Sequence, residues 1–190
     1  MTVLSASVST IVLAAALSAP QAGPHPQTFD IVATASPNAA AKGGITVSMT
    51  VQLDRYTPEH ELKTMTDGLK YDGYKGFLNA LREAPQVGTL EIAGQTFGIR
   101  WAREVPHGTG RTISLVTDKP VFFVGGGRQD AKPKGGYEVA VMQLVLDENG
   151  KGTGTMAAAA RVKPGGETGV RIDNYAEKPV QLTATAHSAK

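Results

Sequence analysis

Ile45-Thr46-Val47-Ser48-Met49-Thr50-Val51-Gln52-Leu53 alternates without a break, apolar at each odd position and polar at each even one. Successive side chains of a β-strand point to opposite faces. A clean period of two is therefore a half-buried strand, with one face on a core and the other in water. Upstream, Phe29, Ile31, Ala33 and Ala35 repeat the pattern more weakly, and Ser36-Pro37-Asn38 separates the two runs as a turn.

Downstream, residues 55–72 read as polar and irregular, with Pro58 and Gly68 among several charges. A helix is predicted over 73–84, because Tyr74, Phe77, Leu78 and Leu81 fall at helical spacing. Asp72 stands where an N-cap would, and Pro85 restricts the residue before it and ends the helix.

The rest of the chain reads as strands. Residues 87–93 and 96–103 flank the turn Ala93-Gly94-Gln95, with Phe97, Ile99 and Trp101 on one face and Arg100, Ala102 and Glu104 on the other. Residues 105–110 read as a loop holding His107, then 111–117 as a strand, 121–124 as a short apolar run and 125–136 as a polar loop. Residues 137–146 are apolar on nearly both faces, which suits a central strand. Asp147-Glu148-Asn149-Gly150 turns the chain into a partner, 152–162, that contains Ala157-Ala158-Ala159-Ala160. Such small side chains leave room for the 73–84 helix to lay Tyr74, Phe77 and Leu81 there. Two further strands begin at Val170 and Val180.

The tally is about nine short strands in sequential hairpins, with one helix. Tight turns between neighbours imply antiparallel order, since parallel pairing needs long crossovers. The expected fold is mainly β: an antiparallel meander closing into a barrel or curved sandwich, covered by the helix.

Residues 1–22 carry no charge. Their apolar block, 8–17, is followed by Ser18-Ala19-Pro20-Gln21-Ala22, the pattern of a secretory signal peptide. The expected organisation is a signal peptide over 1–22, a flexible lead-in over 23–28 and a single antiparallel β domain over 29–190. The leader departs from the pattern in one respect: no Lys or Arg occurs before Lys42. Either the signal is atypical or the true start lies upstream; the rival reading is a disordered or core-packing N-terminus in the cytosol. The block is too short for a membrane span, which takes about 20 apolar residues. The chain has no cysteine, which excludes a lipoprotein anchor, disulfides and thiolate metal sites. The expected location is periplasmic or secreted.

Lys and Arg number 19 against 17 Asp and Glu, a formal net charge of +2. That balance gives no reason to expect nucleic-acid binding, which shows a concentrated basic face. His60-Glu61 opens like a zinc-protease helix motif, but Thr64 stands where the second histidine belongs. Gly150, Gly152 and Gly154 lie at a hairpin rather than between a strand and a helix, so a dinucleotide fingerprint fails on context. Gly125-Gly126-Gly127-Arg128 lacks the Gly-Lys-Ser/Thr end of a phosphate loop. No catalytic residue, metal or cofactor is assigned.

One mild signal is the group Arg100, Trp101 and Arg103 on one strand, with His107 and Arg128 in the loops that follow. If the loops 104–110 and 125–136 converge, these residues form a cationic rim beside an aromatic wall, suited to an anionic amphiphile. The plainer reading is a core tryptophan with solvated neighbours.

Gly73-Tyr74 through Pro85, Thr117-Asp118-Lys119-Pro120, Leu144-Val145-Leu146-Asp147 through Gly154, and Asp173-Asn174-Tyr175-Ala176-Glu177-Lys178-Pro179-Val180 stand in an order that resembles small secreted bacterial proteins of unknown function. The resemblance covers roughly residues 70–185. It implies an exported bacterial domain and carries no catalytic residue across.

The leading expectation is an exported, non-enzymatic β domain that binds a small apolar or amphiphilic molecule or a cell-envelope partner. One alternative is a structural or interaction domain with a filled core. Another is a hydrolase with a loop-built site around His107 and Asp130.

Overall fold

A computed structural model describes residues 26–35, 45–121, 135–165, 170–176 and 178–188. The strands are β1 (Gln27–Ala35), β2 (Ile45–Leu53), β3 (Gly88–Ile92), β4 (Gln95–His107), β5 (Gly110–Thr117), β6 (Val139–Leu146), β7 (Lys151–Pro164), β8 (Val170–Asn174) and β9 (Val180–Ser188). Among the described residues a single helix, α1 (Glu59–Glu83), joins β2 to β3. Every pairing is antiparallel. Neighbours pair in order from β1 to β7; β7 then pairs with β9, and β9 with β1, which closes an eight-stranded barrel. The ninth strand, β8, hangs outside the ring on the far half of β7.

The alternation of β2 places Met49, Val51 and Leu53 inside, opposite Ile31, Phe29 and Gln27 of β1. Leu90, Ile99, Leu115, Met142, Leu144, Met156 and Leu182 complete the inner layer. Eight strands enclose an interior just wide enough for side chains to fill. The cavity left between Val51, Leu90, Ile99, Leu115, Met142 and Met156 is about 10 Å³, no more than one water sphere.

A second apolar layer lies on the outside of the barrel, beneath α1. Leu62, Met65, Leu69, Phe77, Leu78 and Leu81 of the helix face Trp101, Val116, Val141, Ala157, Ala160, Val162, Val170 and Ile172. The alanines of β7 do leave room for the helix, as expected, and Tyr74 reaches them with its hydroxyl 3.5 Å from the Ala160 carbonyl oxygen. An irregularity in the β6–β7 register falls within the alanine run, between the partners of Val139 and Val141. It lets Ala158 face the barrel interior while Ala157 and Ala160 face the helix.

The helix is longer than predicted. It begins at Glu59, and the segment 55–72 that reads as irregular holds its first arm. The break comes at Gly73, whose φ of 68° and ψ of −155° belong to glycine almost alone. Across that corner the two arms meet at Gly68 and Gly76, where backbone touches backbone. Arg100 donates from Nη1 to the Ala84 carbonyl oxygen at 2.6 Å, satisfying a carbonyl just past the helix end.

Two further corrections concern β4. It runs through His107, so 105–110 is not a loop; the turn is Gly108-Thr109, with Gly108 at a φ of 58°. Its register shifts between Ile99 and Trp101. A β-bulge inserts one extra residue and reverses the facing beyond it. Phe97 and Ile99 therefore point into the barrel, Trp101 points out beneath the helix, and Ala102 returns inside. Gln27 and Thr28, placed in a lead-in from sequence, already belong to β1. The proposed signal peptide and residues 122–134 lie outside the described residues.

Candidate functional site

Two hairpin turns and the β1–β9 seam meet at one end of the barrel. Pro106, Thr109, Gly110 and Arg111 come from the β4–β5 hairpin, and Asp147, Glu148, Asn149 and Gly150 from the β6–β7 turn. Gln27 opens β1, and Ala186 and His187 close β9. Together with Glu104 they line an open bowl of about 470 Å³, within the range of small-molecule sites.

Its frame is held by backbone. The Asp147 carboxylate accepts from the amides of Asn149 at 2.8 Å and Lys151 at 2.9 Å, pinning the turn. The Ala186 amide donates to the Gly150 carbonyl oxygen at 2.8 Å, tying β9 to that turn. Gly150 takes a φ of 74° and packs on Ala186, so a side chain there would be both strained and crowded.

The floor is a side-chain network. Arg111 Nη1 donates to Glu104 Oε2 at 3.3 Å, and the Tyr56 hydroxyl donates to the same oxygen. The Gln27 amide lies 3.4 Å from that hydroxyl. Burial first, and then the Glu104 carboxylate, push the Tyr56 hydroxyl well above the ordinary tyrosine range. The Tyr56 hydroxyl therefore stands as a donor that fixes the carboxylate. At the rim, His187 Nε2 lies 3.0 Å from Asp30 Oδ2.

The residues singled out from sequence do not assemble here. Trp101 is 2 % exposed and packs its ring 6.4 Å from Phe77, so it offers no wall to a ligand. Arg100 is turned to the helix end and to Asp118, 3.7 Å from its Nε. Arg103 is half-buried on β4, and His107 is exposed at the strand end without lining the bowl. Arg128 and Asp130 lie outside the described residues. Sequence reasoning missed Gln27, Tyr56 and His187 as site residues. A signal for the floor was present: reading Gly108-Thr109 as a two-residue turn sets Pro106 opposite Arg111, which makes Glu104 and Arg111 diagonal neighbours.

Among the described residues no group of three or more His, Asp and Glu could hold a metal ion, and no helix is long and apolar enough to cross a membrane. No family model, curated protein or solved structure matches the chain.

Proposed function

We propose that this chain is an exported binding domain that acts from its surface, with the filled barrel as scaffold and the polar bowl as recognition face. One contrast carries the reading: about 10 Å³ inside the barrel against about 470 Å³ at its mouth. An apolar or amphiphilic guest has no room within, whereas the mouth presents a preorganised polar surface on a rigid frame. Preorganisation favours binding because little freedom is left to lose. A hydrolase reading has less support. The hydroxyl that meets a bowl carboxylate, that of Tyr56, is pushed up by burial and by Glu104 itself, so it serves as a donor to that carboxylate.

Native mass spectrometry, with a fluorescent fatty acid as a second probe, tests the interior. The expected result is no retained lipid mass and no saturable quenching of Trp101, the single tryptophan. A retained apolar ligand overturns the surface reading. Export is tested by mass analysis of the N-terminus in an envelope fraction. A start following Ser18 or Ala22 supports it, and recovery of the intact chain from cytosol alone refutes it.

A further inference from the structure

Resting on the bowl as recognition face, we infer that its partner is a second copy of this chain, which offers the charged face of its β7–β8 ribbon, so that copies join head to tail. Residues 160–164 of β7 pair with β8 as a two-stranded ribbon outside the ring. Val162, Val170 and Ile172 turn one face of it to α1. Side chains alternate, so Arg161, Lys163, Arg171 and Asp173 share the other face. Lys163 stands directly opposite Arg171, an arrangement of like charges that costs stability. One carboxylate serves both: Asp173 Oδ2 takes the Lys163 ammonium, and Oδ1 lies 3.4 Å from Arg171 Nε. Arg161 lies opposite Asp173, its guanidinium 5.7 Å from the Tyr74 ring. Three cations against one carboxylate leave this face at +2, and the ammonium and guanidinium keep donors that a single carboxylate does not use.

The bowl carries the opposite sign. Glu104, Asp147 and Glu148 line it against Arg111, a balance of −2 with His187 neutral. Glu148 is exposed on the β6–β7 turn and has no ion-pair partner among the described residues. Lys151, the next cation along, stands opposite Thr185 in the β7–β9 ladder and does not line the bowl. Ten to twelve residues of β7 separate Lys151 from Arg161 and Lys163, about 30–40 Å at the rise of a strand. The two patches thus stand at opposite ends of one strand and can meet only between molecules. A contact between different patches is heterologous, so it propagates into chains or closes into a ring rather than stopping at a two-fold dimer. Exposed ion pairs are weak and screened by salt, so the contact has a Kd of about 0.1–1 mM and dissolves as salt rises.

The test is sedimentation velocity of the full chain up to about 1 mM, in about 0.02 M and about 0.5 M salt. At low salt the average mass should climb past that of a dimer; at high salt it should fall to that of the monomer. Lys163→Thr with Arg171→Thr disables the ribbon, Glu148→Lys disables the mouth, and each should weaken association about tenfold. Mixed, the two restore one contact, the intact mouth of the first against the intact ribbon of the second. The expected product is a one-to-one complex that grows no further. A parent chain that stays monomeric, stops at a dimer or associates equally in high salt overturns the inference. So does a mixture that stays monomeric when both variants melt as the parent does. Tri-lysine, titrated into the ¹⁵N-labelled chain and read on the Asn149 and Gly150 amides, separates the two readings. Saturable shifts with a monomeric parent strike the second copy and leave the mouth as recognition face, whereas silent amides with a monomeric parent overturn both.

Discussion

Replacing Gly76 by alanine separates two opposed effects whose sum has a definite sign. In an ordinary helix alanine is better than glycine by about 1 kcal/mol, because glycine has more backbone freedom to lose. Here the added Cβ would stand 2.5 Å from the Gly68 carbonyl oxygen and 2.5 Å from the Asp72 Cβ. Non-bonded atoms settle at about 3.5–4.0 Å, so the two arms of α1 must part by about 1 Å. Leu69 and Phe77, both buried against the barrel, move with them. Overpacking of this kind costs about 1–3 kcal/mol, and the parted arms lose packing as well. The net expectation is destabilisation by about 1–2 kcal/mol, a fall in Tm of roughly 2–8 °C for a chain of this size. Thermal and urea unfolding followed by far-ultraviolet circular dichroism reads it directly. Asn79→Ala, on the exposed side of the same arm, is the control and should gain about 0.5 kcal/mol. If Gly76→Ala is as stable as the parent or more so, the arms do not meet as described.

Ala93 holds a φ of 45° beside Gly94 at 75°, the two left-handed positions of a tight hairpin turn; Ala93→Asn should raise stability by about 0.5–1 kcal/mol in the same melts. Met156→Ala inside the filled barrel should cost about 2–5 kcal/mol by denaturant unfolding, since the rigid ring of strands cannot collapse onto the void. The Tyr56 hydroxyl is neutral in the fold well beyond the pH at which an unfolded tyrosine ionises. Its contribution is therefore complete below about pH 10 and declines above it, by up to about 1.4 kcal/mol per pH unit for each such group. Tyr56→Phe should make that alkaline decline shallower, and an unchanged slope would remove Tyr56 as its source.

The barrel was legible because its inner face is written in alternation. Ile45 to Leu53 read as one strand without help from any neighbour, and the turns after it fix antiparallel order. The errors arose where a local device reverses or hides a period. The bulge at Arg100 sends Trp101 to the opposite face from Ile99, and no single-residue pattern announces it. The first helix arm did carry its signal, since Leu62, Met65 and Leu69 share one face. Gly68 and two threonines masked it, because they lower helix propensity and stand there for reasons of packing and side-chain bonding. The mouth was least legible. Gln27, Tyr56, Glu104 and His187 come from four separate parts of the chain, and only the closed ring brings them to one end.

The seam between β1 and β9 pairs Gln27 with Ser188 and Phe29 with Ala186, the first strand of the element order with the last. No earlier part of the chain can substitute for β9, which bonds β1 on one edge and β7 on the other. Closure thus waits on the most distant partner, and joining such remote segments is slow because loop entropy is lost before the contacts form. A nascent chain lacking β9 keeps two open strand edges and an unsealed apolar interior. The ring itself therefore seals only once the whole ordered span from β1 to β9 is available, whatever hairpins have formed before it.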